Sequence, residues 1–300
     1  MSYYACLDIG GTFIKHGLAD EKGHFARKGS VPTDIKASKV SGLLGKLQGI
    51  VMEYRASREL SGIAVSSPGI VDAEKGEIVF AGDNFPGYTG TKLKEELERR
   101  CGLPCEVEND VNAVGLAECW LGAGQGADSV VCVAVGTGIG GCIVLHGQLV
   151  RGAANSAGEI GFLRTETGET LEKSSSTASL VAEVAKLRGM SPEALTGEQI
   201  FADAKEGKQD AAQAIDGMVQ CLATGLANVC CILNPQRIVL GGGIMAQEDY
   251  LRPRLEAALR GRLTIVPIRD STELVFAKFR NDAAMLGALR HFLQRHSPLP

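Results

Sequence analysis

Two short apolar runs in this chain each end in a glycine-rich turn, and that pairing constrains the fold more than any other feature. The first run, Tyr3–Leu7, leads into Asp8-Ile-Gly-Gly-Thr12; the second, Ser129–Val135, leads into Gly136-Thr-Gly-Ile-Gly-Gly141. Glycine lets backbone N–H groups come close to a bound anion and tolerates positive φ. Each turn also offers a threonine hydroxyl, and an acid precedes the first. One such turn occurs at any tight reversal. Two of them, far apart in the chain, predict a phosphate group gripped from two sides.

The chain has 300 residues, enough for one large domain or two smaller ones with a sizeable core. Its 38 glycines exceed the usual share of about 7% and gather at the ends of apolar runs, so they read as turns rather than as a linker. Only 22% of residues are charged, the net charge is −4 and the pI is near 5.8. That balance leaves no basic footprint for nucleic acid, so a phosphorylated ligand is expected to depend on local dipoles and a metal ion. No apolar stretch approaches the ~18–20 residues of a membrane span, and the N-terminus lacks a basic start followed by an apolar signal core. The expectation is a soluble, cytoplasmic protein with no membrane partner. The nine cysteines lie mostly within apolar runs and are expected to be reduced. Cys101 and Cys105 are spaced C-x3-C, but no second pair or nearby histidine completes a zinc site.

Strand and helix signals alternate along the chain. Tyr3–Leu7, Phe13–Ala19 and a segment from Phe25 onward read as strands. Lys39–Arg55 places Val40, Leu43, Leu44, Leu47, Ile50 and Val51 at helical spacing. Gly62–Ser66 reads as a buried strand running into the turn Ser67-Pro-Gly69, Thr91–Arg100 as a surface helix, and Pro104–Glu108 as a strand ending in Glu108-Asn109-Asp110. Helices are predicted over Asn112–Leu121, 177–187, 210–233 and from Asn281 or Asp282 as cap. Strands are predicted over Val130–Val135, Cys142–Leu145, Arg237–Leu240 and Leu274–Ala277, with Gln148–Arg151 continuing the second. The pattern is that of an α/β protein made of two related halves with a cleft between them. The expected division is 1–110, joined by the C-terminal helix at about 281–300, and 111–280.

Phosphoryl transfer to an alcohol needs a phosphate cradle, a Mg2+ ligand, a base for the hydroxyl, and groups that bind the substrate. Asp8, at a strand end beside Gly10 and Gly11, is placed to hold Mg2+ through water; the plainer reading is an acid that caps a tight turn. Thr12 and Thr137 offer hydroxyls to phosphate oxygens or serve as ordinary turn residues. Asp110 is the candidate base, worth about 10²–10⁴-fold in rate. Spacing alone equally allows it to be the N-cap of the helix that follows.

The order of several motifs is more specific than any one of them. Asp8-Ile-Gly-Gly-Thr12, Ser67-Pro-Gly69, Glu108-Asn109-Asp110-Val-Asn112, Gly136-Thr-Gly-Ile-Gly-Gly141, Ala157-Gly-Glu-Ile-Gly161 and Leu240-Gly-Gly-Gly243 occur in register. Together they resemble the ROK family of sugar kinases and sugar-responsive repressors, over almost the whole chain. The resemblance implies an actin/hexokinase-like (ribonuclease H-like) two-domain fold and ATP-dependent phosphorylation of a hexose-type sugar at its 6-OH. It implies that Asp110 takes the sugar hydroxyl proton. It implies that Asn84, Asn109, Glu159, Glu172 and Gly69 serve the sugar. Gly10, Gly11, Thr12, Gly136, Thr137 and Gly138 then match the phosphate loops, and Gly241, Gly242 and Gly243 the turn near adenine and ribose. ATP and Mg2+ are the implied cofactors, with Asp8 the metal ligand through water, and a homodimer is the implied assembly.

One departure is informative. Many members follow Gly-Glu-Ile-Gly with a histidine and then a cysteine cluster that binds structural zinc. Here the histidine position is Phe162, and 168–176 holds no cysteine, so no zinc is expected. This is similar to zinc-less members such as β-glucoside kinases and some N-acetylmannosamine kinases. Glu172 aligns with the family's glutamate after the cluster, without the metal staple. Family repressors carry a winged helix ahead of the first glycine turn, and Asp8 comes too early for one, so a DNA-binding role is not expected. The rival reading is a catalytically silent sugar sensor of the same family.

Overall fold

In the computed structural model, which describes residues 2–296, strand β1 (Tyr3–Ile9) is buried on both faces, with Ala5, Cys6 and Leu7 fully enclosed. Such two-sided burial suits a central strand. Strand β2 (Phe13–Asp20) returns antiparallel beside it, placing Lys15 opposite Asp8, and β3 (Phe25–Pro32) continues the meander. Helix α1 (Ile35–Ser57) breaks at Lys39, whose φ is 56°. Strand β4 (Gly62–Ser67) then runs parallel to β1 with Ser66 opposite Asp8. A small hairpin, β5 (Ile70–Asp72) and β6 (Glu77–Phe80), precedes α2 (Leu93–Cys101) and strand β7 (Cys105–Asn109), which leads directly into α3 (Asp110–Leu121).

The resulting five-stranded sheet has the order β3-β2-β1-β4-β7. One face is covered by α1 and α2, whose Leu43, Leu47, Val51, Leu93 and Leu97 pack with Leu7, Ile63 and Val65. The C-terminal helix, Ala283–His296, covers the other face through Met285, Ala288, Leu289 and Phe292. It also packs on α3 so closely that a Cβ at Gly287 would lie 1.6 Å from the Ala113 carbonyl oxygen. Only glycine permits that approach. Helix α3 is therefore part of this first unit, which comprises 2–121, Arg151–Ser156 and 281–296.

The second unit, Gly122–Val150 and Ala157–Arg280, repeats the plan. Strands β8 (Ser129–Val135), β9 (Ile139–Leu145) and β10 (Gln148–Leu149) form a meander. Helices α4 (Leu171–Ser175), α5 (Thr177–Arg188), α6 (Gly197–Lys205) and α7 (Gln209–Leu233) follow. Strand β11 (Arg237–Gly241), helices α8 (Glu248–Arg262) and α9 (Val266–Ser271), and strand β12 (Glu273–Phe276) complete it; the C-terminal helix is α10. The sheet order β10-β9-β8-β11-β12 mirrors that of the first unit, with an antiparallel hairpin on one side of the central strand and parallel strands on the other.

Several boundaries and elements differ from the sequence reading. By length and composition α7 is long and apolar enough to cross a membrane, contrary to the expectation that no stretch approaches that limit. Its apolar side, including Ile215, Val219, Leu222 and Leu226, forms the core of the second unit. Helices α4, α6, α8 and α9 and the β5–β6 hairpin lack predicted counterparts. In α8 a Pro253 in the first half and a strongly charged surface disguise the apolar positions Leu251, Leu255 and Leu259. Of the candidate caps for α10, Asp282 stands directly before the helix and its carbonyl accepts the Leu286 N–H at 3.0 Å, while the side chains of Asn281 and Asp282 meet Lys15 and Lys28 at 3.3 and 2.7 Å.

Candidate active site

In parallel α/β sheets, ligands are held beyond the C-terminal ends of the strands. In the first unit those ends carry Asp8 on β1, Ser66 to Gly69 after β4, and Asn109-Asp110 after β7. Because Ser66 sits opposite Asp8, its hydroxyl donates to Asp8 Oδ1 at 3.0 Å. Lys15 Nζ lies 4.0 Å from the other oxygen. Burial raises the Asp8 carboxyl above its ordinary value, and the Ser66 hydrogen bond and the Lys15 charge pull against that rise. The charged form thus lacks full compensation from the protein.

The glycine turn after β1 is clamped from a distance. The buried Thr33 donates its hydroxyl to the Gly10 carbonyl at 2.7 Å and its backbone N–H to the Thr12 carbonyl at 2.9 Å. Gly10 N–H in turn donates to Phe13 O at 3.0 Å. The N–H groups of Gly11 and Thr12 have no hydrogen-bond partner among the described residues, and both residues are exposed. A rigid turn with unpaired, solvent-facing donors can cradle an anion.

Asn109 and Asp110 divide the work that spacing left open between cap and base. Asn109 is the cap: its Oδ1 accepts the N–H groups of Val111 and Asn112, both at 3.0 Å. Its Nδ2 donates to the Gly69 carbonyl at 2.8 Å and to Asp110 Oδ1 at 2.9 Å. Gly69 reaches that position at φ 92°, with a Cβ there 2.3 Å from the Phe80 carbonyl oxygen. Asp110 becomes the first residue of α3, and Oδ1 also accepts Val111 N–H at 2.9 Å. Its Oδ2 has no protein partner among the described residues. Burial pushes the Asp110 carboxyl up to about 6, and the Asp8 charge adds to the rise against the hydrogen bonds it accepts. The Asn109 amide is therefore fully occupied by the protein. Asn84 hydrogen-bonds none of these groups; it is exposed in a loop anchored by the neighbouring Phe85 and Tyr88.

Beneath them lies an ion pair that sequence spacing did not single out. Glu108 is wholly buried and meets Arg151 Nη2 at 2.6 Å and Nη1 at 3.2 Å. It also accepts from the Asn109 N–H at 2.8 Å and from Asn112 Nδ2 at 3.0 Å. This ties segment Arg151–Ser156 to the strand end that presents Asp110. A glutamate before Asn-Asp was visible in the sequence; its partner lies 43 residues away and was not.

In the second unit, the Gly136–Gly138 turn follows β8 and the Gly241–Gly243 turn follows β11. They meet because Gly242, at φ 98°, backs onto Val135, where a Cβ would lie 2.2 Å from the carbonyl oxygen. Gly136 N–H donates to Gly138 O at 2.9 Å, leaving the N–H groups of Thr137 and Gly138 without partners among the described residues. Thr177 N–H donates to Gly136 O at 2.8 Å. Glu172 Oε2 accepts the Ile139 N–H at 2.9 Å. Glu159, just before the 3-10 turn Ile160–Phe162, is raised above the usual carboxylate range by partial burial and then by the charge on Glu172. Phe162 itself is exposed. The segment between Phe162 and Glu172 closes as a hydrogen-bonded hairpin: Leu171 N–H to Leu163 O at 2.7 Å, Thr165 N–H to Glu169 O at 2.8 Å, and an Arg164–Thr170 bridge.

The sequence profile of the ROK family matches residues 4–295. A β-glucoside kinase of Listeria monocytogenes is 36% identical over 305 residues, covering 98% of each chain. A glucokinase of Thermotoga maritima is 31% identical and covers 94% of each. Among solved structures, a Listeria monocytogenes protein described as a candidate N-acetylmannosamine kinase superposes with a TM-score of 0.86 at 34% identity, over 98% of this chain and 100% of that one. A ROK glucokinase from Streptomyces griseus, in complex with glucose and AMPPNP, gives 0.80 at 26% identity over 96% and 98%. The fold is the actin/hexokinase-like fold of these kinases, and the chain belongs to the ROK family.

Proposed function

We propose that this protein transfers the γ-phosphoryl group of ATP to a hydroxyl, the 6-OH, of a hexose-type sugar. The observation that carries this reading is Asp110: a carboxylate held at Oδ1, open at Oδ2, and raised to about 6. A general base works best when its pKa lies near the operating pH. Asp110 Oδ2 takes the proton of the sugar hydroxyl as that oxygen bonds to the γ-phosphorus and the bond to the bridging oxygen breaks, releasing ADP. Phosphoryl transfer of this kind is driven by positioning and electrostatics.

The unpaired N–H groups of Gly11 and Thr12, and of Thr137 and Gly138, are read as phosphate donors, with the threonine hydroxyls beside them. Gly241 to Gly243 would lie against the nucleoside. Asp8 would hold Mg2+ through water: it is a carboxylate at the end of β1 whose protein partners are the Ser66 hydroxyl at 3.0 Å and Lys15 Nζ at 4.0 Å, and carboxylate and water oxygens are what Mg2+ prefers. Bound there, Mg2+ would neutralise charge on the phosphates. Glu159, Glu172, Asn84 and Gly69 remain the proposed sugar-side groups, and Asn109 reaches the sugar only by releasing one of its present partners. The hairpin at 163–171 supports a zinc-independent reading of this segment, since hydrogen bonds hold it closed.

The test is an ATP-consumption assay coupled to ADP release, over glucose, N-acetylmannosamine, fructose and β-glucosides. Sugar-dependent turnover by the wild-type protein is expected for at least one of them. No sugar-dependent turnover across the panel, with sugar binding intact, would favour the silent sensor.

A further inference from the structure

Glu172 makes a contact that service to a sugar does not explain. Its Oε2 accepts the Ile139 N–H at 2.9 Å, and a Cβ on Gly138 would lie 2.4 Å from that same oxygen. The turn Gly136–Ile139 has two other ties, Gly136 N–H to Gly138 O at 2.9 Å and Thr177 N–H to Gly136 O at 2.8 Å. The first joins its two ends across the Val135–Ile139 pair of β8 and β9, the second holds its beginning, and Glu172 adds the side-chain acceptor for the Ile139 N–H. Holding the Ile139 N–H orients the peptide so that the Thr137 and Gly138 N–H groups stay unpaired. The brace is itself anchored, because Leu171 packs against Gly225 of α7, where a Cβ would lie 2.6 Å away. Glu172 Oε1 has no partner among the described residues.

We propose that Glu172 is a positioning residue for the nucleotide: one oxygen braces the second phosphate turn while the other is open to a sugar hydroxyl. A hydroxyl donating to Oε1 restrains the carboxylate that holds Ile139, so sugar occupancy stiffens the turn that receives the phosphates. A charge-assisted bond from a backbone N–H is among the stronger ones available for such a link. This rests on the kinase reading above, and it adds a nucleotide-directed role to a residue assigned there to the sugar. It also gives a reason for glycine at 138, since any larger residue displaces the brace.

The experiment compares Glu172→Ala, Glu172→Gln and Gly138→Ala by two readouts without sugar: hydrogen–deuterium exchange over residues 136–141, and affinity for AMPPNP with Mg2+. Glu172→Ala should lose protection at Ile139 and bind AMPPNP about tenfold more weakly. Glu172→Gln keeps an accepting oxygen and should stay within about threefold of wild type. Gly138→Ala should resemble Glu172→Ala although Glu172 is intact, and combining the two should add little. Wild-type exchange and wild-type nucleotide affinity in Glu172→Ala, with only the sugar KM raised, would overturn the proposal. The exchange arm reads the brace even if the wild-type protein binds no nucleotide, an outcome that would instead overturn the kinase reading.

Discussion

Asn109 donates its Nδ2 to Asp110 Oδ1 at 2.9 Å while its own Oδ1 caps the helix that Asp110 begins. One amide thus fixes both the backbone and the carboxylate of the proposed base, and leaves Asp110 Oδ2 as the free oxygen. Positioning to within a few tenths of an ångström is what such catalysis depends on.

Asn109→Asp isolates the electrostatic half of that relationship. The variant keeps an oxygen for the cap, loses both amide donors, and places a negative charge beside Asp110. A like charge disfavours ionisation. The acid limb of the kcat/KM profile should move to higher pH by roughly 1 unit. Asn109→Ala, by contrast, should chiefly lose the cap and about 1 kcal/mol of stability. An unmoved acid limb in Asn109→Asp, measured by the coupled assay across pH, would remove Asn109 from control of Asp110.

The strand ends that carry the site were legible because polar residues and glycines interrupt apolar runs at Asp8, Ser67, Asn109, Gly136 and Gly241. What spacing did not reveal is which neighbour each side chain chooses. Asn109 and Asp110 are adjacent and both suit an N-cap, and the choice shows only in the fold, where Asn109 Oδ1 accepts the Val111 and Asn112 N–H groups while its Nδ2 donates to Gly69. Thr33 clamps the first turn through the register of β3, and Glu172 braces the second across 33 residues. Contacts of that range depend on how the sheets close, which local patterns do not encode. Glu172 was placed with the sugar by resemblance, and its Oε2 accepts the Ile139 N–H at the end of the Gly136–Ile139 turn.

Asp8 makes a prediction about stability. Burial raises its carboxyl, so the folded chain holds that proton more tightly than the unfolded chain. The stabilising contribution is present below the ordinary value of about 3.9 and is lost as pH rises through the raised one. Asp8→Asn removes the buried charge. Its Tm should exceed the wild-type value at pH 8, and the gap should close below about pH 4. The same variant should need more Mg2+ for half-maximal turnover. A lower Tm at pH 8 with unchanged Mg2+ dependence would contradict both roles.

The hairpin at 163–171 predicts independence from zinc. Its closure rests on backbone hydrogen bonds such as Leu171 N–H to Leu163 O. Metal analysis of the purified protein should find no stoichiometric zinc, and EDTA should leave Tm unchanged in the absence of nucleotide. One zinc per chain, or a chelator-induced drop in Tm, would overturn that assignment.

The central claim is that Asp110 accepts the sugar proton, and the pH dependence of kcat/KM in wild type and Asp110→Asn tests it most directly. The carboxyl is raised to about 6, so it is protonated and inactive as a base below that value. Wild-type kcat/KM should fall with an apparent pKa near 6. Asp110→Asn should cut kcat by about 10²–10⁴-fold, keep sugar affinity within a few-fold, and lose the acid limb. A variant that retains most of its turnover, or keeps the same limb, would show that another group carries the proton.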